Sequence, residues 1–311
     1  MRLPVACHDF ELFWRYVVKT TDQETLGREA GVSRKELSER FSWFLALPPS
    51  PELMWHFFPP HCLQSTSPWV YGYDAKWLGR SPALLIHRDI THKETLWWSV
   101  AKHESMAGVR ADLIGLSRYL DYHPPLGAVS DGKPGITSTI KWFFHLDQCQ
   151  RCLVHVERDL KLYLPLHSPL AATQALRNIA LSLIRVNSVE DKDIYLSVSE
   201  AWHCRYGHLL KTKTYPLPGS GVKRRWWYTH GNLRRAWRLM TKEPDSLFNF
   251  LTHPLIPKTN NSLEGINRHL NRRIGTKKNK QVALMMWQLA FSRTKSRYQR
   301  NKLWAAWKQQ L

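Results

Sequence analysis

Three extended segments rich in aromatic and β-branched residues, between residues 69 and 101, constrain the fold more than any other feature of the sequence. Their patterns predict strands at 69–78, 83–89 and 95–101, separated by short turns, and therefore an antiparallel meander. Farther along the chain, helical and extended patterns alternate. They predict helices at 108–122, 135–144 and 153–164, and short strands at 126–130 and 149–152. The middle of the chain is thus expected to be an α/β domain.

The order of these elements is typical of a ribonuclease H-like mixed sheet, in which a three-stranded meander is followed by helix, strand, helix and strand. It places Asp74 on the first strand and Asp131 at the carboxyl end of the fourth. Open α/β sheets gather their active-site groups at the carboxyl ends of parallel strands. Asp74 is the more unusual of the two, since Asp is depleted in strand interiors and an unpaired buried charge is costly.

Residues 1–47 predict a small helix-turn-helix DNA-binding domain. Capping boxes at 21–24 and 33–36 begin two helices, and Gly31 separates them in a tight turn. The second helix would present Arg34, Lys35, Ser38 and Glu39 outward, and the first three could contact DNA. A plain helical hairpin is the alternative interpretation of the same pattern.

Two further segments differ from the α/β domain. Six prolines between residues 48 and 68 predict a Pro-rich linker, without continuous helix or strand over most of its length. Residues 165–258 carry helical patterns instead, which predict an all-helical insertion between a first part of the α/β domain at 69–164 and a final part at 259–311. These helical patterns lie at 170–186, 189–206 and 231–241.

Glu264 lies near the start of a predicted helix with a polar cap, beside a stripe of apolar residues. From Gly265 to Leu311 there are 12 Lys or Arg residues and no Asp or Glu, so Glu264 is the last carboxylate side chain of a basic tail. The pattern of apolar residues in this tail predicts a helix at 281–291, with a basic extension of that helix at 293–302. The helix macrodipole alone favours an acid near a helix start, so a metal-binding role for Glu264 requires partners upstream.

The charge of the chain indicates a polyanionic partner, and nucleic acid is the expected one. The 311 residues include 45 Lys or Arg and 25 Asp or Glu, which gives a formal charge of +20 and a pI near 9.9. Basic residues beside flat rings can hold a nucleic-acid backbone and stack on an unpaired base, although the Trp pair at 226 and 227 could equally pack in a core. The candidate contacts beyond the first domain are Lys223, Arg224, Arg225, Trp226, Arg268, Arg272, Arg273, Lys277 and Lys278.

The sequence contains no apolar run long enough to span a membrane, and its start lacks the apolar core of a signal peptide. We therefore expect a cytoplasmic, nucleoid-associated protein with no membrane partner. The five cysteines are an odd number in a mid-sized chain, which argues against a disulfide framework.

Asp74, Asp131 and Glu264 would form an oxygen-rich metal site if folding brings them together. Carboxylate oxygens suit hard cations such as Mg²⁺ or Mn²⁺. Two such ions about 4 Å apart can activate a water or a 3′-hydroxyl and stabilise the leaving oxygen of a phosphoryl displacement. Phosphodiester chemistry of this kind agrees with the polyanionic partner that the charge indicates.

Four blocks of sequence resemble the catalytic blocks of DDE transposases of the Mutator-like bacterial insertion-sequence group. These blocks are Tyr73-Asp74-Ala75-Lys76, Ser130-Asp131-Gly132, Cys152-x-x-His155 and Thr259-Asn-Asn-Ser-Leu-Glu264-Gly265. The resemblance covers roughly residues 69–311, and the last block is the most specific. The sequence departs from the family pattern in having no zinc ribbon ahead of the predicted helix-turn-helix.

The resemblance implies a ribonuclease H-like catalytic domain with an all-helical insertion between its second Asp and its Glu. It also implies binding to the terminal inverted repeats of an insertion sequence, hydrolytic nicking at its ends and attack of the freed 3′-hydroxyl on target DNA. Asp74, Asp131 and Glu264 would hold the metal ions, and Cys152 and His155 would support the geometry of the site. Synapsis of two DNA ends implies a homo-oligomer.

Other interpretations stay open. The chain could be a DNA-binding protein or regulator without catalysis, or a nuclease or resolvase of the same fold, which would cut DNA without joining it. Cys149, Cys152 and His155 have the spacing of zinc ligands. Zinc is disfavoured there because no second Cys pair exists and His155 falls in the start of a predicted helix.

Overall fold

The computed structural model describes residues 6–64, 67–120, 123–221, 223–260 and 278–310. It is a mixed α/β structure that contains a five-stranded sheet and many helices. The chain divides into two compact units, and neither of them is continuous in sequence. The first unit comprises residues 1–128, 134–146 and 261–311, and the second comprises residues 129–133 and 147–260.

The sheet has the strand order β3-β2-β1-β4-β5. Its strands are β1 (Val70–Trp77), β2 (Ala83–Asp89), β3 (Glu94–Ala101), β4 (Gly127–Ser130) and β5 (Gln150–Arg151). β2 pairs with β1 and with β3 in antiparallel fashion, whereas β4 and β5 are parallel. The predicted meander and the mixed character of the sheet are therefore confirmed.

Every residue of β2 is buried, because the strand lies between β1 and β3 and both of its faces are covered. Its polar residue His87 is accommodated by hydrogen bonds on both ring nitrogens. The Tyr71 hydroxyl lies 2.6 Å from Nδ1, and Asp112 Oδ2 lies 3.0 Å from Nε2. Ser99 Oγ also donates to Asp112 Oδ2, at 2.6 Å. The network satisfies polar groups that would otherwise destabilise the interior.

Two helices follow the meander in the first unit. They are α6 (Met106–Leu120), before β4, and α7 (Pro134–Phe144), after it. α6 buries the stripe Val109, Leu113 and Leu116, as the helical spacing predicts.

Three helices precede the Pro-rich segment. They are α1 (Cys7–Val18), α2 (Gln23–Ala30) and α3 (Arg34–Ala46). Gly31 ends α2 in the left-handed conformation, with φ of 67°, and Ser33 caps α3 by accepting a hydrogen bond from the Glu36 backbone at 3.1 Å. The cap of α2 is Asp22 rather than the predicted Thr21. Its carboxylate accepts from the Thr25 backbone at 2.8 Å, so the helix begins one residue later.

The segment 48–68, predicted as a Pro-rich linker without continuous helix or strand over most of its length, contains two short helices. They are α4 (Pro51–Phe57) and α5 (His61–Gln64). Pro51 occupies the first turn of α4, where a backbone N–H is not needed, so this proline favours the helix rather than excluding it. Trp55 is buried and donates from its indole nitrogen to the Leu96 carbonyl at 2.6 Å. The segment therefore packs within the first unit and contributes to its core.

Two helices near the end of the chain share a core with the first three. They are α13 (Lys278–Phe291) and α14 (Arg297–Lys308). Trp287 of α13 is fully buried, contacts the rings of Phe10 and Phe13, and donates from its indole nitrogen to the Phe44 carbonyl at 2.7 Å. Ile86 of β2 belongs to the same cluster, so this core covers one face of the sheet.

The predicted basic extension at 293–302 is not continuous with α13. Ser296 starts a new helix by accepting a hydrogen bond from the Gln299 backbone at 3.2 Å. Arg300 is buried and pairs with Glu11 at 2.8 Å. At least one cation of the basic tail, Arg300, therefore packs inside the protein. A count of charges in the sequence does not distinguish such a residue from an exposed one.

The second unit is mainly helical. Its longer elements are α8 (Leu153–Tyr163), α9 (Ala171–Ser182), α10 (Val189–Tyr206), α11 (Gly231–Thr241) and α12 (Pro244–Thr252). Two elements of this unit were not predicted. One is α12, which begins at a proline that favours a helix start. The other is a small hairpin formed by β6 (Lys213–Thr214) and β7 (Trp227–Tyr228). None of the helices in the described ranges is both long and apolar enough to cross a membrane.

Replacing Trp287 by Ala should destabilise the first unit by about 3–5 kcal/mol, because it removes a fully buried ring and a buried hydrogen bond. Tyr298→Ala is the matched control, since that ring is 78 % exposed and its loss should change the unfolding free energy by no more than about 0.5 kcal/mol. Urea unfolding followed by circular dichroism measures both. Equal losses in the two variants would contradict the assigned core.

Candidate active site and nucleic-acid interface

Asp74 lies within β1 and is 7 % exposed. Side chains alternate across a strand, and Tyr73 turns to the opposite face, where its hydroxyl donates to Glu104 at 3.0 Å. Asp74 is paired across the sheet with Ile86, and Ile86 with Trp98, both of which belong to the core that includes α13. The Asp74 carboxylate accepts a hydrogen bond from the Ala75 backbone at 2.9 Å. It is thus a carboxylate held at the border of an apolar core.

Asp131 follows β4 directly, in the second unit. Its carboxylate is half-buried and accepts from the Lys133 backbone at 3.0 Å. Gly132 has a φ of 84°, which glycine adopts without strain, and its N–H donates to Ser130 Oγ at 3.3 Å. This tight turn fixes the carboxylate at the carboxyl end of the strand, as the sequence predicts.

Cys152 joins two distant parts of the second unit. Its backbone N–H donates to the Ser130 carbonyl at 2.8 Å, and its buried sulfur accepts from the Asn260 backbone at 3.2 Å. His155 is half-buried in the first turn of α8. Cys152 therefore holds Asn260, at the start of the Glu264 block, near Ser130, the last residue of β4.

Several predicted site residues lie outside the described residues. They are Glu264, Arg268, Arg272, Arg273 and Lys277. Lys278 is the first residue of α13. Of the three predicted metal ligands, Asp74 stands in the first unit and Asp131 in the second.

The donor chemistry of the predicted ligands fits Mg²⁺ or Mn²⁺, because Asp74 and Asp131 both offer carboxylate oxygens at or after sheet strands. Among the described residues, no three His, Cys, Asp or Glu side chains group as a metal site. Glu264, the third carboxylate of the predicted set, lies outside these residues. Cys149 makes a contact separate from that of Cys152, with its sulfur 3.6 Å from Ser130 Oγ.

The hairpin of the second unit concentrates rings and positive charges at the surface. Lys213 Nζ lies 4.0 Å from the centroid of the Trp226 ring, and the Arg234 guanidinium lies 4.0 Å from that of Tyr228. Trp226 is 38 % exposed, so it does not pack in a core. The loop before β7 also exposes Lys223, Arg224 and Arg225.

The outward face of α3 carries charges of both signs. Arg34 and Lys35 are exposed and Ser38 is half-buried, in agreement with the prediction that they face outward. Exposed Glu36 and Glu39 alternate with these cations along the same helix. This surface is therefore less positively charged than the hairpin loop with Lys223, Arg224 and Arg225.

Arg151 lies beside Asp131, although the sequence did not single it out. β4 and β5 are parallel and pair Ser130 with Arg151, which places Arg151 beside the turn that carries Asp131. A Cβ placed on Gly132 would collide with the Cγ, Cδ and Nε atoms of Arg151, so the arginine lies directly over this glycine. Burial lowers the pKa of the Arg151 guanidinium, and attraction to Asp159 opposes that shift. Nothing in the local sequence marks the contact, which depends on the strand register.

No protein-family model matches the chain, and a search of curated proteins found no match.

Replacing Gly132 by Ala should destabilise the protein more than replacing Gly219 by Ala. Both glycines have positive φ, but open space surrounds Gly219, whereas Arg151 covers Gly132. We expect about 1–2 kcal/mol of backbone strain in each variant and about 1–3 kcal/mol more in Gly132→Ala from overpacking. Urea unfolding measures the difference, and adding Arg151→Ala to Gly132→Ala should remove it. Equal costs for the two glycines would show that Arg151 does not lie over Gly132.

Proposed function

We propose that this protein is a metal-dependent DNA transposase of the DDE type, with a ribonuclease H-like catalytic domain. One observation carries the proposal. The strand order β3-β2-β1-β4-β5 makes β1, which holds Asp74, the sheet neighbour of β4, which ends just before Asp131. Acids on a central strand and at the end of the adjacent strand can supply carboxylate oxygens to one divalent-cation site.

The connectivity of the chain supports Glu264 as the third acid. Asn260 donates its backbone N–H to Cys152, and the Cys152 backbone is bonded to Ser130, the residue before Asp131. Glu264 follows Asn260 by four residues in sequence, and four residues span about 14 Å at most when extended. The chain therefore allows Glu264 to reach the same edge of the sheet.

In this proposal the three carboxylates hold divalent cations, which, when bound, activate the attacking hydroxyl and stabilise the leaving oxygen. The buried position of Asp74 and the tight turn at Asp131 hold two of these ligands in place before DNA binds. The reaction would begin with hydrolysis at the ends of an element and continue with transfer of the 3′ end to target DNA. A homo-oligomer would bring two ends together.

The charge distribution supports DNA as the substrate. The chain carries a formal charge of +20, and the hairpin loop presents Lys223, Arg224 and Arg225 beside an exposed Trp226. Cations of this kind bind the phosphate backbone, and the ring offers a surface on which an unpaired base can stack. The outward face of α3, with Arg34 and Lys35, would provide a second contact.

Asp74→Asn, Asp131→Asn and Glu264→Gln should each abolish Mg²⁺-dependent cleavage and joining while leaving DNA binding intact, since each removes a metal-binding charge and keeps the shape. Asp147→Asn is the control, because Asp147 is exposed and outside the proposed site. The assay uses duplexes with the inverted repeats that flank the coding sequence. Wild-type activity in any of the three would remove that residue from the site, and cleavage without joining would indicate a nuclease or resolvase.

Replacing Lys223, Arg224 and Arg225 together by Gln should weaken DNA binding. If all three contact phosphates, the slope of log K against log salt should fall in magnitude by about 2.7, since each contact contributes about 0.9. A control with the same charge change replaces three other exposed cations by Gln. These are Arg118, Arg185 and Lys242. Fluorescence anisotropy at several salt concentrations measures both slopes, and equal slopes in the two triple variants would exclude a specific role for the loop.

A further inference from the structure

The Arg151 side chain is held in place by packing but makes no hydrogen bond to any described residue. Its stem lies over Gly132, and its Nε is buried without a partner in the part of the chain that the structure describes. A buried donor of this kind costs about 1–3 kcal/mol if it stays unsatisfied. Arg151 as a whole is only half-buried, and its terminal nitrogens are not among the buried unpaired atoms of the described residues, so a ligand would reach the guanidinium through these nitrogens.

Other arginines in this protein show what a purely structural role looks like. Arg300 donates from two nitrogens to Glu11, at 3.0 and 2.8 Å, and Arg40 pairs with both Asp9 and Glu36. Arg151 differs from them, because Asp159, Glu243 and Asp131 attract its charge without any ion pair forming among the described residues. The acids thus stabilise the position of the guanidinium and leave its donors free.

We propose that Arg151 binds a phosphate group of the DNA next to Asp131. This proposal rests on the transposase function proposed above and adds a substrate contact to the same site. The guanidinium is planar and presents several donors to phosphate oxygens, which a lysine ammonium cannot do in the same geometry. Its place beside the turn at Gly132 would orient a phosphodiester toward the Asp131 carboxylate.

The test compares Arg151→Gln with Arg238→Gln, which removes the same charge from an exposed position in α11 of the same unit. Binding of a 20-base-pair duplex is measured by fluorescence anisotropy at several salt concentrations, in EDTA so that no cleavage occurs. Arg151→Gln should lower the affinity about tenfold and reduce the salt slope by about 0.9, the share of one phosphate contact. Arg238→Gln should change neither. Equal behaviour of the two variants would overturn the proposal.

Arg151→Lys is the second variant, since it keeps the charge and most of the stem if Arg151→Gln fails to fold. It should retain the salt slope and reduce the rate of Mg²⁺-dependent cleavage at saturating DNA at least tenfold, because the fork of donors is lost. A wild-type cleavage rate would refute the proposed contact. If the wild-type protein cleaves no DNA, the transposase function fails, whereas the salt slope of Arg151→Gln still reports whether Arg151 contacts phosphate.

Discussion

The two hydrogen bonds of Cys152 are the constraint on which the proposed site depends. Its backbone N–H is fixed to the Ser130 carbonyl, and its sulfur receives the Asn260 N–H. The first bond fixes the residue that precedes α8 to the last residue of β4. The second fixes Asn260 to the same residue, Cys152. Ser130 and Asn260 belong to the two blocks that contain the predicted acids Asp131 and Glu264, so the backbone and the sulfur of one buried residue connect the two blocks.

The first unit is discontinuous because its core is built from both ends of the chain. Phe10 and Phe44 from the amino-terminal helices pack on Trp287 and Trp307 near the carboxyl end. Burying rings of this size contributes a large share of the stability of a core. The helices predicted to form a separate DNA-binding domain therefore share a core with the α13 and α14 helices, and their folding depends on the end of the chain.

The sequence was most informative where local patterns decide the structure. β2 has the predicted bounds, because turn residues flank its apolar and β-branched residues. Asp131 directly follows β4, as the predicted strand at 126–130 implied. The sequence misled at two positions. Asp22 caps α2 in place of the predicted Thr21, and Pro51 begins a helix instead of excluding one. Arg151 was beyond prediction, because its place over Gly132 follows from the pairing of Arg151 with Ser130, which is 21 residues away in sequence.

The central claim is that Asp74, Asp131 and Glu264 form one divalent-cation site. Anomalous diffraction from crystals soaked in Mn²⁺ tests it most directly, because the signal locates the metal independently of activity. We expect Mn²⁺ within about 2.5 Å of oxygens from all three carboxylates, directly or as a pair of ions about 4 Å apart. Mn²⁺ bound elsewhere, with Glu264 more than about 10 Å from both aspartates, would contradict the claim, because a two-metal site spans less than that distance.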